Sequence, residues 1–405
     1  MSEQALPYNT EKVFISDEMD GLQCHHYKED YSFIDNNSMK FRGIIADGTS
    51  ILCRSFAYTP EFNSNDENLK EILYPLLAKG PKVFDSYEGS LLRLWYDNRE
   101  GYNKWRLSTH RRIEAFTSRW GSETSYGEFF IQGLVLKFGS SENPFDDFTS
   151  KLNKNLIYVF LLRNGKHNRV VCDTQESIAL YSIGVFDKLN NFVFSFEDNE
   201  TGLPKTEVAP VEITDNVEDS FNNIIEYVNS VNPYDRQGVV IIASGDANMD
   251  IEALKVVNSE YWRLSKLRGN NPNFIKRYIE LRGKEEVNDY ISLYNEHKEL
   301  FDECENVLAD ITNNILKKYV NRYVRKRAAI LPPEQFYIIK EIHKSYLTHK
   351  QPITYTDVEN IVNGQTPKQL FYIYQQFMNR KEKFGDGNLL PQEDADRLLS
   401  QIKSH

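Results

Sequence analysis

Phe84-Asp85-Ser86-Tyr87-Glu88-Gly89-Ser90-Leu91-Leu92 places two hydroxyls, one aliphatic and one phenolic, between two acidic side chains and runs through a glycine into an apolar segment. A serine hydroxyl is a weak nucleophile unless an adjacent base takes its proton, and Asp85-Ser86-Tyr87 supplies no evident base. The residues that follow, Leu91 to Tyr96, are aliphatic and aromatic and suit a strand, as do Phe41 to Ile45, Ile51 to Ala57 and Trp105 to Ser108. Asp47-Gly48 and Glu100-Gly101 lie where hairpin turns are needed.

Four further blocks flank this stretch in order. Arg42-Gly43-Ile44-Ile45-Ala46-Asp47, with Arg54-Ser55-Phe56 through Glu61-Phe62-Asn63, precedes it. Lys104-Trp105-Arg106-Leu107-Ser108-Thr109-His110 follows, then Tyr158 to Asn164 with Arg169-Val170-Val171. Last come Arg236-Gln237-Gly238-Val239-Val240-Ile241 and Lys255-Val256-Val257-Asn258-Ser259-Glu260-Tyr261. In sequence and order these blocks, which span residues 40–265, resemble the bacteriophage-type RNA ligase 1 family of the covalent nucleotidyltransferase superfamily. The 84–92 stretch is similar to its KxDGS motif, with Ser86 at the lysine.

The resemblance implies an ATP-dependent, magnesium-assisted transfer of AMP through a lysine, and it also marks where this chain departs from that pattern. Ser86 stands at the nucleophile. Leu161 or Leu162 stands at the ribose-contacting glutamate, Gln237 at a metal-binding glutamate, Val257 at the second lysine of the last block, and Pro60 or Glu61 at the upstream lysine. An amide is a poorer ligand than a carboxylate for a hard cation. Arg42, Glu88, Gly89 and Lys255 remain as the nucleotide-binding set that the resemblance implies. Lys40-Phe41-Arg42-Gly43 also spells the minimal KxxG, which makes Lys40 the alternative nucleophile; Lys82, after Gly80-Pro81, is read as a loop lysine. The expected protein is a degenerate ligase, a pseudoenzyme that binds RNA, single-stranded nucleic acid or nucleotide. An active ATP-dependent RNA ligase, with ATP and Mg as its cofactors, and an interaction scaffold with a protein partner are the alternatives.

The net charge of −11 argues against broad attraction to nucleic acid, so local distribution matters more. Lys104, Arg106, His110, Arg111, Arg112 and Arg119 interleave with Trp105, Phe116 and Trp120. Cations beside aromatic faces suit single strands, and Lys104, Trp105, Arg106, Arg111, Arg112, Arg119 and Trp120 are the expected nucleic-acid-binding residues. A second such stretch is Lys317 to Arg327; there a solvated face is an equal reading. Cys24-His25-His26 lacks a second cluster to complete a metal site, and no metal ligands are assigned. His110 and His167 fall within the family-like blocks, and no Ser, His and Asp triad can be assembled from sequence. No apolar run approaches the roughly 20 residues of a membrane span and the start of the chain lacks a signal-peptide form, so a soluble, intracellular, cytoplasmic protein is expected.

The expected fold is α+β: residues 1–270 form a nucleotidyltransferase domain, ATP-grasp-like, with antiparallel sheets around a cleft. Helices are expected at Arg112 to Phe116, Tyr126 to Phe138 and Asp219 to Val231, and strands at Leu156 to Leu162, Arg169 to Cys172 and Gly238 to Ala243. Residues 271–405 are expected to be an all-helical C-terminal domain. There Leu300, Phe301, Cys304, Val307, Leu308, Ile311, Ile315, Tyr319 and Tyr323 form an apolar stripe. Pro332-Pro333 should end that helix, Thr356 to Glu359 should form a capping box, Asn363-Gly364 a stop, and Thr366-Pro367 the next start.

Overall fold

A computed structural model describes residues 12–28, 40–165, 169–173, 178–198, 200–243, 252–269, 271–327 and 331–384. The chain divides into two compact units, Met1–Lys266 and Leu267–His405.

The first unit is α+β and built on three sheets. Strands β1 (Val13–Met19), β2 (Leu22–Tyr27), β3 (Arg42–Ala46) and β4 (Ile51–Cys53) form an antiparallel sheet in that order. Next come β5 (Glu61–Asn63), helix α1 (Leu69–Leu77), β6 (Lys82–Ser86), β7 (Ser90–Asp97) and β8 (Lys104–Ser108). Helices α2 (Tyr126–Phe138) and α3 (Pro144–Thr149) lead to β9 (Leu156–Arg163), β10 (Ala179–Asp187) and β11 (Val193–Ser195). Helix α4 (Val217–Ser230), β12 (Gly238–Ala243), β13 (Glu252–Val257) and α5 (Ser259–Arg268) complete the run. One sheet has the order β11-β10-β9-β7-β8; the other, β5-β13-β12-β6, contains the parallel pair β5 and β13.

Strand β9 shows why its sequence is a continuous apolar run rather than an alternating one. Tyr158, Phe160 and Leu162 pack into a core with Phe130 and Phe148 of α2 and α3, whereas Ile157 and Val159 face a second core with Cys24, Ile45 and Trp95. Alternate side chains leave opposite faces, so a strand covered on both sides is apolar throughout. A third core joins α1 and α4 to β12 and β13 through Leu73, Ile224, Val239 and Val256. Each fully buried aliphatic or aromatic side chain contributes about 1.5–3 kcal/mol.

Several local expectations change. Arg112 to Phe116 is no helix but a bound turn and one short 3₁₀ segment, Ala115–Thr117. Arg112 N donates to Thr109 Oγ1 at 3.0 Å and Ile113 N to Asp17 Oδ2 at 2.9 Å, which diverts both amides from a helix ladder. Among the described residues Arg169 to Cys172 pairs with no strand, because the amides of Val170, Val171 and Cys172 bind a carboxylate described below. Lys82 opens β6 instead of lying in a loop, and its ammonium sits over the Phe196 ring.

The second unit is helical: α6 (Phe274–Leu281), α7 (Val287–Leu293), α8 (Lys298–Tyr319), α9 (Pro333–His349), α10 (Tyr355–Asn363) and α11 (Pro367–Phe384). The stripe on α8 is core, with Phe301, Cys304, Val307, Leu308, Ile311, Ile315 and Tyr319 buried. A π-helical turn, Val320–Val324, follows that helix, and Pro333 starts α9 rather than ending α8. The capping box sits earlier than expected: Thr354 and Asp357 cap α10 reciprocally. Among the described residues no helix is long and apolar enough to cross a membrane.

Candidate functional site

The strand pairings gather the family-like blocks around one cavity of about 720 Å³ within the first unit, a size suited to a small-molecule ligand. Ser86 pairs with Gly238 across β6 and β12, and Val240 with Lys255 across β12 and β13. This register brings Ser86, Gln237 and Lys255 to the cavity wall together with Arg42, Gly89 and Leu161. The loop after β8 adds Arg111 and Arg112, and the next turn adds Arg119 and Trp120. Tyr27, Phe56, Tyr58, Phe84, Tyr87, Tyr126 and Phe196 supply aromatic surface. The cavity therefore joins ring faces to five cationic side chains, a setting for an anionic ligand with a flat ring.

A hydrogen-bond chain fixes Ser86. The Tyr261 hydroxyl donates to Glu88 Oε1 at 2.8 Å, so its oxygen accepts from Gln237 Nε2 at 2.7 Å. The amide oxygen Oε1 then faces Ser86 and accepts from its Oγ at 2.8 Å. The serine proton is thus held by an amide, which cannot remove it. Burial first, and then the Glu88 charge, raise the Tyr261 phenol far above its ordinary value, so that it remains a donor.

Glu88 does not line the cavity. Its carboxylate accepts from Val170 N at 3.0 Å, Val171 N at 2.6 Å and Cys172 N at 3.0 Å, in addition to Tyr261. It ties the β6–β7 turn to that segment, so four donors already meet the carboxylate that was expected to face a nucleotide. Gly89 is needed for close approach, since a Cβ would stand 2.7 Å from both Leu161 Cδ1 and the Leu162 carbonyl oxygen.

The other charges are largely committed. Asp85 is buried and accepts from Tyr227 Oη at 2.6 Å and from Arg236 Nη1. Lys255 Nζ lies 2.7 Å from Glu61 Oε1. Arg42 Nη1 donates to the Ala57 carbonyl at 3.4 Å, and burial holds its guanidinium below the ordinary value. Gly43 has φ +78° and lies against the His110 carbonyl, where a Cβ would stand 2.4 Å from the oxygen. His110 forms part of the wall, its Nε2 2.9 Å from Ser55 Oγ. Burial, then the Arg42 and Arg93 charges, hold it well below its ordinary value and keep it neutral.

The expected nucleic-acid strip divides. Arg106 is buried between Asp97, at 2.8 Å, and Asp20, at 2.7 Å. Trp105 packs edge-on against Tyr96 and beside Tyr158, and the Lys104 ammonium lies 3.9 Å from Asp20. Those three leave the site; Arg111, Arg112, Arg119 and Trp120 reach it. Arg112 pairs with Asp17 at 3.1 Å, and Arg119 donates to the Glu123 carbonyl at 2.6 Å. Lys40 is not among the described residues that line the cavity, and His167 lies outside the described residues. The Asp85–Arg236 pair, the Glu88 clamp and the place of His110 in the wall are features in and around the candidate site that the sequence did not signal. Their partners are 82 to 173 residues apart for the first two, beyond the range of any local pattern.

Gln237 does not fit a metal. Both ends of its amide are engaged, and among the described residues no group of three His, Cys, Asp or Glu side chains is placed to hold an ion.

No family model matches the chain. It is 25% identical over 295 residues to the immediate-early protein ICP-46 homolog of Invertebrate iridescent virus 6, a match covering 70% of this chain and 63% of that protein. It therefore spans less than two thirds of that relative's length. It is also 25% identical over 379 residues to the protein of the same name from Invertebrate iridescent virus 3, covering 90% and 79%. Among solved structures it is similar to an archaeal ATP-dependent RNA ligase, with a TM-score of 0.40 and 13% identity over 71% of this chain and 70% of that one. A mutant Naegleria gruberi RNA ligase in its apo form gives a TM-score of 0.35 and 12% identity over 52% and 57%.

Proposed function

We propose that the first unit is a ligase-like module that holds a nucleotide, or the end of a single-stranded polynucleotide such as RNA, without transferring AMP. The observation that carries this reading is the Ser86 hydroxyl, which sits where the motif resemblance puts a lysine and donates a hydrogen bond to the Gln237 amide oxygen. Covalent catalysis needs a nucleophile whose proton a base can take. What the cavity retains is binding chemistry: Arg42, Arg111, Arg112 and Arg119 for phosphate, with Trp120 and Tyr87 for a ring. Because Glu61 already neutralises Lys255 and Gln237 is a poor cation ligand, nucleotide binding is weak and insensitive to magnesium.

The test is incubation of the purified chain with α-labelled ATP and a divalent metal. No label should remain on the protein after denaturation. A lysine phosphoramidate would overturn the reading, and its mapping to Lys40 would replace it with an active nucleotidyltransferase. Ser86→Lys alone should not restore adenylylation, since Gln237 and Leu161 are unchanged.

A further inference from the structure

The C-terminal end of α8 carries more positive charge than a helix end requires. Lys317 already lies in its last turn, where a cation offsets the partial charge of the helix end. The π-helical turn then presents Arg322, and Arg325, Lys326 and Arg327 follow in exposed positions. Among the described residues none of these four has a carboxylate within ion-pairing distance. Arg325 Nη1 makes a 3.4 Å contact with Asn321 Oδ1, and the Arg322 guanidinium lies 5.8 Å from the Tyr323 ring centre. Other arginines of the same unit behave differently: Arg277, Arg282 and Arg380 pair with Glu280, Glu305 and Glu334. Four unpaired cations in one short turn of a chain with net charge −11 are a local exception to the charge of the whole.

A ring platform adjoins them. Tyr323, inside the same turn, stacks on His343 of α9 with centroids 3.8 Å apart and planes inclined by 19°. His343 and Tyr346 are 6.0 Å apart and inclined by 18°. While Ile338, Ile339 and Ile342 of α9 turn into the core, Tyr346 remains 37% exposed. The stack ends in a ring open to solvent.

Phosphates at regular intervals and bases with accessible faces are the features of a single strand that match cations beside near-parallel rings. We infer that the Arg322 to Arg327 turn, with Tyr323, His343 and Tyr346, is a binding site for single-stranded polynucleotide, its phosphates against the arginines and a base on Tyr346. This site does not rest on the reading of the cavity.

Fluorescence anisotropy of the full chain with a labelled oligouridylate, titrated at several salt concentrations, tests it. An Arg111→Ala/Arg112→Ala background removes two of the cavity's five cations and so reduces its share of the measurement. In that background R325A/R327A should weaken binding and lower the slope of log affinity against log salt by about 1.4, or about 0.7 per lost phosphate contact. Tyr346→Ala should weaken oligouridylate binding about tenfold and leave inorganic polyphosphate binding unchanged, and Tyr346→Phe should retain both. Oligouridylate binding that neither variant alters overturns the site. Equal loss of polyphosphate and oligouridylate in Tyr346→Ala overturns it in favour of a general polyanion surface. Binding to phosphatidylserine vesicles without binding to the oligonucleotide overturns it in favour of a membrane surface.

Discussion

Lys255 projects from β13 with its ammonium 2.7 Å from Glu61 Oε1, and the parallel pairing of β13 with β5 sets that distance by placing the two residues opposite each other. An ion pair with one half-exposed partner stabilises by only about 0.2–1 kcal/mol, so its main effect is on what Lys255 offers a ligand. An anion entering the cavity must compete with Glu61 for the same ammonium. Glu61→Gln should therefore strengthen ATP binding about threefold, the equivalent of breaking such a pair, with calorimetry as the measurement and Lys255→Met as the control that abolishes the gain. Weaker or unchanged binding in Glu61→Gln would show that Lys255 does not face the ligand. Ser86 has the same character at this scale: its position among the motif blocks was legible in sequence, but the direction of its proton was not. That direction depends on Gln237 and Tyr261, 151 and 175 positions further along the chain, and on Glu88 beyond them.

Glu88 binds a turn to a segment that lacks a ladder. Three amides and one phenol point at its carboxylate, and hydrogen bonds to a buried charge are stronger than neutral ones. Glu88→Gln would turn an NH₂ group toward at least one of those donors. The expected cost is about 2–3 kcal/mol, read as a lower urea midpoint of the first unit with little change in slope; an unchanged midpoint would contradict the clamp. Periodicity found the elements that bury one clear face or run apolar throughout: β7, β9, β12, α2, α4 and α8 were all legible. It missed β1 and β6, in which charged residues lie within the strand, as well as β2, β10 and β13, and it assigned a strand to Arg169 to Cys172 because Val170 and Val171 favour one. There the carboxylate of Glu88 took the amides that a neighbouring strand would have bound. The short capping signals were more reliable in kind than in place, since Thr354 and Asp357 do at α10 what was expected two residues later.

Charge at the scale of the chain, 59 acidic against 48 basic side chains, conceals cations that folding disfavours, Lys318 among them. Lys318 is buried in the second unit, donating from Nζ to Gln335 Oε1 at 2.7 Å. Burial, aided by the Arg380 charge and opposed by Glu334, lowers its pKa from 10.5 to about 7. Between these two values the unfolded chain holds a proton that the folded chain lacks, so this group makes folding more favourable as pH rises from about 7 to 10.5. Below about 7 both states are protonated and the penalty is constant. At 1.36 kcal/mol per unit the penalty reaches up to about 5 kcal/mol. Lys318→Met removes it but leaves the Gln335 oxygen without its donor, at a cost of about 1–3 kcal/mol. The variant should therefore be the more stable protein at neutral pH and lose that advantage as pH approaches the free-lysine value. Tyrosine ionisation and the growing negative charge act on both proteins alike, so the informative quantity is the difference between their urea midpoints across the pH series. A difference that stays constant from neutral to alkaline pH would mean that Lys318 keeps its proton in the fold.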